Sequence, residues 1–197
     1  MMNGNDQSLV ERMLSGEEPA FAEIYRQNQQ GLYRFALHMS GSRAAAEDVT
    51  QETFLALLAR GREYSSSRGS LSAFLFGIAR NHVLRWLRSN RKTVAMEAAV
   101  EAVHPRSDPL KDLTRRENLE HIRRLILSLP PKYRECVILC DLHEMDYASA
   151  ATIIGCSTGT LRSRLHRGRA MLEEKLRGSR SVAEEARGGA SYEIQAL

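Results

Sequence analysis

At 197 residues the chain suits one large domain or two small ones. Its 28 Lys and Arg against 24 Asp and Glu leave a formal net charge of +4, too small a surplus to indicate nucleic acid by itself, so the distribution of charge has to decide. No run approaches the ~18 apolar residues of a membrane span, and the opening MMNGNDQSLVERM has neither the basic start nor the apolar stretch of a secretory signal. Three cysteines without a close paired motif fit a reducing compartment. The expectation is a cytoplasmic protein with no membrane insertion of its own.

Alternating runs of Val, Ile and Thr are nearly missing, while Ala, Leu, Arg and Glu recur at helical spacing, which predicts an all-α chain. Phe21, Ile24, Tyr25, Leu32, Phe35, Ala36 and Met39 fall on one stripe of a helix that Pro19 opens and Gly41-Ser42 ends. A second helix runs from about Arg43 to Arg60. A loop rich in Gly and Ser follows over Gly61–Gly69, and Ser70 caps a third helix reaching about Asn90. Residues 93–114 hold two prolines, mixed charge and no sustained apolar face, the composition of a tether. A second helical block spans 115–177, and the polar tail 178–197 is too short to form a core and is expected to be mobile. The organisation is thus two small helical domains, 8–92 and 115–177, joined by a flexible linker.

The segment Asp146–Leu176 is the most informative. DYASAATIIG reads as a short helix, CSTGT as a tight turn and LRSRLHRGRAMLEEKL as an arginine-rich helix, the order of a helix-turn-helix. Leu161, Leu165, Leu172 and Leu176 share one side of the last helix. Gly159, Ser163, His166, Arg167 and Ala170 share the other, with Arg162 and Arg169 on its flank. Ser157 suits the N-cap and Gly155 the turn, while Ala150, Ala151 and Ile154 are small or apolar enough for close packing between the two helices. The first turns of such a helix enter the major groove, where Arg grips guanine bidentately and Ser or Gly permits close approach. The plainer alternative is a solvated arginine face.

A second basic surface lies upstream. Residues 65–96 contain no Asp or Glu but include Arg68, Arg80, Arg85, Arg88, Arg91 and Lys92. On the helical wheel Phe74, Leu75, Ile78 and Ala79 lie on one side and Arg80, Leu84, Arg88 and Arg91 on the other, with Asn81 and Arg85 at an edge. A stripe free of acids is an electrostatic track for phosphates. Phe76 and Trp86 offer stacking faces for unpaired bases, although Trp86 projects toward the apolar side, which suits core packing.

Glu47–Leu55, EDVTQETFL, has a different character. Val49, Thr50, Thr53, Phe54 and Leu57 point inward together, and Asp48, Gln51, Glu52 and Leu55 occupy the opposite face. Carboxylates repel phosphate, so a leucine among them suits docking on a protein; an ordinary solvated face with one leucine is the alternative. Cys136, Cys140 and His143 share a helical face, with Cys156 as a conceivable fourth ligand. That spacing is not a common zinc pattern, and lone cysteines are often small core residues, so no metal or other cofactor is expected.

Together these residues resemble a bacterial group-four sigma factor, the extracytoplasmic-function type, over roughly Ser15 to Leu176. SGEEPAFAEIYRQNQQGLYRFA resembles the first promoter-domain helix of that family, and EDVTQETFL its D-x-x-Q-E-x-F signature. LSAFLFGIARNHVLRWLRSNR is similar to the helix that reads and melts the minus-ten element. LPPKYRECVILCDLHEMDYASAATIIGCSTGTLRSRLHRGRAML resembles the domain that reads the minus-thirty-five element.

The resemblance implies a promoter-specificity subunit rather than an enzyme, with core RNA polymerase, promoter DNA and an anti-sigma protein as partners. It assigns polymerase binding to Asp48, Gln51, Glu52 and Leu55. Tyr64, Ser66 and Arg68, in the loop where such proteins hold a flipped base, would serve the minus-ten element with Arg80, Asn81, Leu84 and Arg88. Ser157, Thr158, Gly159, Arg162, Ser163, His166 and Arg167 would read the minus-thirty-five groove. Arg85 stands where the family often has Asp, Phe74 where Trp is frequent, Ala150 where Ile is usual and Cys140 where Arg is common. Two rival readings remain: a stand-alone helix-turn-helix regulator dimerising on a palindrome, and a metal or redox sensor built on Cys136, Cys140 and His143.

Overall fold

The structure, a computed structural model, describes residues 3–90 and 119–193, with side chains over 5–90 and 119–177. The described residues are helical throughout, with no strand. The first block holds α1 (Asn3–Leu14), α2 (Glu18–Ser40), α3 (Arg43–Arg60) and α4 (Leu71–Ser89), with two short 3-10 turns, Gly61–Glu63 and Ser66–Arg68, between α3 and α4. The second holds α5 over 119–127, α6 (Pro131–Val137), a π turn (Ile138–Leu142), α7 (Tyr147–Ile154) and α8 (Thr158–Glu193). The tether expected over 93–114 lies outside the described residues. α8 carries on past Arg177, so the expected tail begins as a continuation of that helix.

Local chemistry sets the boundaries. Pro19 occupies the first turn of α2, where its missing N–H costs nothing. Gly41 ends α2 in the left-handed conformation, φ 77°, and its N–H donates to the Leu37 carbonyl at 2.8 Å. Ser42 and Ser70 cap α3 and α4 by accepting from the N–H groups of Ala45 and Ala73. Asp146 caps α7 twice over, accepting from Ala148 and Ser149. Gly155 then breaks α7 at φ 73°, and Ser157 starts α8 by accepting from Thr160 at 3.1 Å.

α2, α3 and α4 form the body of the first block, with Ile24, Leu32, Phe35, Leu57 and Leu75 fully buried among them. The second block does not stand apart from it. Its buried Ile126, Leu129, Ile138, Leu139, Leu161 and Leu165 join the same continuous core. Arg134, buried in α6, is the polar centre of that junction. Its guanidinium donates to the carbonyls of Leu127 and Leu129 at the end of α5 and to Met39 at the end of α2. These carbonyls have no helical partner, and the negative ends of two helix dipoles favour a cation there. Burial pulls the Arg134 pKa down to about 10, which leaves it charged at neutral pH.

Candidate functional site

α7 and α8 form the expected helix-turn-helix. Leu161 and Leu165 are buried against Ile153 and the α6 side, whereas Ser157, Thr158, Gly159, Arg162, Ser163, His166 and Arg167 are all exposed. Leu176, expected on the buried side, is exposed because α8 has by then run beyond the body. Several contacts fix the reading helix. Arg169 makes a bidentate ion pair with Asp141, at 3.1 and 2.5 Å, tying α8 to the π turn. The Arg162 guanidinium lies over the Tyr147 ring at 5.6 Å. Arg167 hydrogen-bonds the Tyr133 phenol and holds its pKa below the ordinary value. Gly168 permits the close approach of α8 to α6, since a Cβ there would lie 2.9 Å from a Val137 methyl.

The loop after α3 and the first turns of α4 frame a cavity of about 380 Å³. Arg60, Ser65, Arg68, Phe74 and Asn81 line it. Tyr64, expected to meet DNA, is only 5% exposed. Its ring packs 5.7 Å from Phe74 and its hydroxyl donates to the Gly69 carbonyl at 3.3 Å, so it forms a wall rather than a free contact. Burial pushes the Tyr64 phenol up to about 12, and the nearby Asp6 carboxylate adds to this. Ser66 is half-buried and Arg68 exposed, with Arg68 donating to the Glu63 carbonyl.

On α4 the buried set is Leu71, Leu75, Phe76, Ala79 and Val83, while Phe74 and Ile78 turn toward the cavity. Phe76 packs edge-on against Phe35 and His143, which makes it core rather than a stacking platform. Trp86 is half-buried, Asn81 and Arg88 are exposed, and Leu84 packs partly against the core. Arg80 is held by the second block: Glu135 accepts from its guanidinium at 2.7 and 3.2 Å. Thr152 and Ile153 of α7 complete the wall of the loop cavity. The residues expected at the minus-ten element are therefore brought together, with the second block packed over part of them.

The α3 face matches its expected pattern residue for residue. Val49, Thr50, Thr53, Phe54 and Leu57 are buried, and Asp48, Gln51, Glu52 and Leu55 are exposed. Gln51 and Leu55 border an open groove of about 900 Å³ between α2 and α3, floored by Phe21, Tyr25 and Phe54. The three rings touch in sequence, Tyr25 to Phe54 at 4.7 Å and Phe21 to Phe54 at 6.1 Å. Leu55 and Leu58, at 51% and 48% exposure, form the apolar rim. An aromatic floor with a carboxylate edge is the make-up of a protein-docking surface. Tyr25 and Leu58 belong to this face although sequence reasoning placed one in the core stripe and left the other out.

Cys136 is buried, and its thiol donates to the Lys132 carbonyl at 3.4 Å. His143 sits against the Phe35 and Phe76 rings, and burial lowers its pKa to about 4. Among the described residues no group of three or more His, Cys, Asp or Glu is arranged to hold a metal ion. No described helix is long and apolar enough to cross a membrane.

Residues 24–93 match the family model for Sigma-70 region 2, and residues 119–172 match that for Sigma-70, region 4. The chain is 35% identical over 167 residues to the ECF RNA polymerase sigma factor SigE of Mycolicibacterium smegmatis, covering 80% of this chain and 62% of that protein. It thus spans less than two-thirds of that relative. It is 34% identical over 145 residues to the ECF RNA polymerase sigma factor EcfG of Rhodopseudomonas palustris, covering 74% of this chain and 78% of that one. The sigma factor RpoE of Bartonella quintana, solved in complex with the anti-sigma factor NepR, is 28% identical with a TM-score of 0.64, over 80% of this chain and 96% of that one. With both regions matched in order and the helix-turn-helix in place, the chain belongs to the ECF RNA polymerase sigma factors.

Proposed function

We propose that this chain is a promoter-specificity subunit that makes no covalent bond itself and directs the chemistry of core RNA polymerase. The observation that carries this reading is the exposed start of α8. Ser157, Thr158, Gly159, Arg162, Ser163, His166 and Arg167 face outward from a helix whose Leu161 and Leu165 are buried, and an ion pair, a cation–π contact and a glycine seat hold that helix in place. A rigid helix with arginines at its first turns is what major-groove readout needs.

Asp48, Gln51, Glu52 and Leu55, with the aromatic groove beside them, dock on polymerase. The loop Gly61–Gly69 and the α4 residues Arg80, Asn81, Leu84 and Arg88 hold the minus-ten strand, and α8 reads the minus-thirty-five element. Binding both elements through one chain raises the effective concentration at the second site. A stand-alone repressor would have no use for the groove between α2 and α3. An anti-sigma protein, of the kind bound to RpoE in the Bartonella complex, is the expected regulator, acting where the chain does, in the cytoplasm.

Run-off transcription with core polymerase and a genomic promoter library tests the whole reading. Initiation at a defined subset of promoters is the expected result. A chain that neither joins core enzyme nor supports initiation on any template would end it.

A further inference from the structure

The loop that frames the 380 Å³ cavity is held from within by short-range bonds alone, among them Tyr64 to the Gly69 carbonyl and Arg68 to the Glu63 carbonyl. It is two 3-10 turns rich in Ser and Gly, with no ladder of its own, and such a segment left alone samples many conformations. Its ties to the rest of the fold include two from far away in sequence. The Leu71 N–H donates to the Asp6 carboxylate at 2.9 Å across a separation of 65 residues. The Ser66 N–H donates to the Gln7 side-chain oxygen at 3.2 Å across 59.

α1, which carries both acceptors, is itself anchored by buried Leu9, Val10 and Met13. It also seats the first residue of the loop: a Cβ on Gly61 would lie 3.1 Å from Met13 and 3.3 Å from Leu14. The Asp6 carboxylate stands at the first turn of α4, where the helix dipole favours an anion, and beside the Tyr64 phenol that walls the cavity. One side of the loop is therefore tied to α1, while Ser65, Arg68 and Gly69 face the cavity.

We propose that α1 is a positioning element for this loop, with Asp6 and Gln7 holding Leu71 and Ser66 so that the cavity keeps the shape one unpaired base enters. This rests on reading Gly61–Gly69 as the base-holding loop. Neither residue touches the base. They act through the backbone that does, so their loss blurs discrimination between bases rather than abolishing DNA or polymerase binding.

The test uses holoenzyme assembled from core polymerase and the full chain carrying Asp6→Ala and Gln7→Ala together. Run-off yield is measured on promoters bearing each of the four bases at every non-template position of the minus-ten element. The expected result is a loss of about tenfold in preference at one position, the scale of a charge-assisted hydrogen bond. Polymerase capture and the upstream footprint stay unchanged, and Asp6→Asn with native Gln7, which keeps one acceptor oxygen for each N–H but removes the charge, restores part of the preference. Ser66→Pro provides a second variant that leaves α1 intact. It deletes the donated N–H at the first residue of a turn, and Ser65, at φ −143° and ψ 124°, already has the conformation a following proline requires. Full base preference in both the double variant and Ser66→Pro would overturn the proposal. A wild-type chain with no single-base preference would instead overturn the reading of the loop on which it stands.

Discussion

Arg80 of α4 and Glu135 of α6 meet across the two helical blocks through two hydrogen bonds, at 2.7 and 3.2 Å, with side-chain exposures of 18% and 3%. With Nε and Nη2 turned to this carboxylate, the guanidinium has lost its bidentate fork and part of its field for a phosphate. Glu135 is therefore a competitor for the cation that the minus-ten reading assigns to DNA, and the conformation seen is one in which the competitor has won. Breaking one partner of such a buried pair costs about 3–5 kcal/mol. Glu135→Gln should loosen the contact, raising the separation of fluorophores placed on α2 and α8 and increasing affinity for a single-stranded minus-ten oligonucleotide. Arg80→Glu combined with Glu135→Arg should restore the closed distance while abolishing the gain in DNA affinity. Unchanged distances in Glu135→Gln would show that the pair does not hold the blocks together.

The same junction carries two histidines held neutral. His38 and His143 both have pKa values lowered to about 4, chiefly by burial, then by Arg123 and Arg34 for His38 and by Arg34 and His38 for His143. Above the ordinary value of about 6.5 the folded and unfolded chains are alike neutral at these sites, and the full stability is present. As pH falls from there toward 4, the unfolded chain takes up protons that the folded one refuses. Stability then drops by about 1.4 kcal/mol per pH unit for each histidine. Urea titrations between pH 7 and 4 should show this slope, and His143→Gln should flatten part of it. An identical slope in the variant would clear His143 of the effect.

The exposed α3 face allows a clean separation of docking from folding. Asp48→Ala, Gln51→Ala and Glu52→Ala alter exposed residues, so each should shift stability by less than about 0.5 kcal/mol. Capture by core polymerase in a pull-down should fall tenfold or more in the triple variant. Leu55→Asp should have a similar effect by placing a charge on the apolar rim. Capture equal to wild type in both would move the docking surface elsewhere.

For α8, Arg162→Ala or Arg167→Ala should cost about 1–3 kcal/mol of promoter binding and relax preference at one base pair of the upstream element. Binding should also weaken steeply with added salt, and less steeply in the variants, because a chain that neutralises fewer phosphates releases fewer counterions. A footprint indifferent to both substitutions would remove this helix from the readout.

Gly168 offers a purely structural check. Its missing Cβ would sit 2.9 Å from Val137 and 3.3 Å from the Tyr133 carbonyl. Gly168→Ala must push α8 away from α6, at a cost of about 1–3 kcal/mol, against the gain in helix propensity that alanine normally brings. A thermal melt should show a clear drop in Tm; a rise would mean that the two helices have slack between them.

The elements with strong local signals were legible in the sequence. Pro19, Ser70, Gly155 and Ser157 each satisfy or end a backbone ladder within three or four residues, so their roles could be read without knowing the fold, while the equally local caps by Ser42 and Asp146 went unread. The α3 face was equally plain because its two sides differ so sharply in character. What escaped was everything carried by partners distant in sequence. Glu135 is 55 positions from Arg80, and Asp6 is 65 from Leu71. α1 went unnoticed as a support because its polar opening, NGNDQ, carries little helical signal. Phe76 was misread for a related reason: α4 is covered on two sides, so a residue opposite the expected core face found a second one. The Arg134-Glu135 dipeptide, set directly before the apolar run Cys136–Leu139, was an available sign of that junction, since charges drawn into a core need partners elsewhere.

The uneven cover over the two reading surfaces sets an order of events. α7 walls one side of the loop cavity and α6 occupies Arg80, while the outward side of α8 stands bare, so on the proposed reading a duplex approaching this conformation finds the upstream reader complete and the downstream one short of Arg80. On that reading the full downstream grip comes second, once Glu135 releases Arg80.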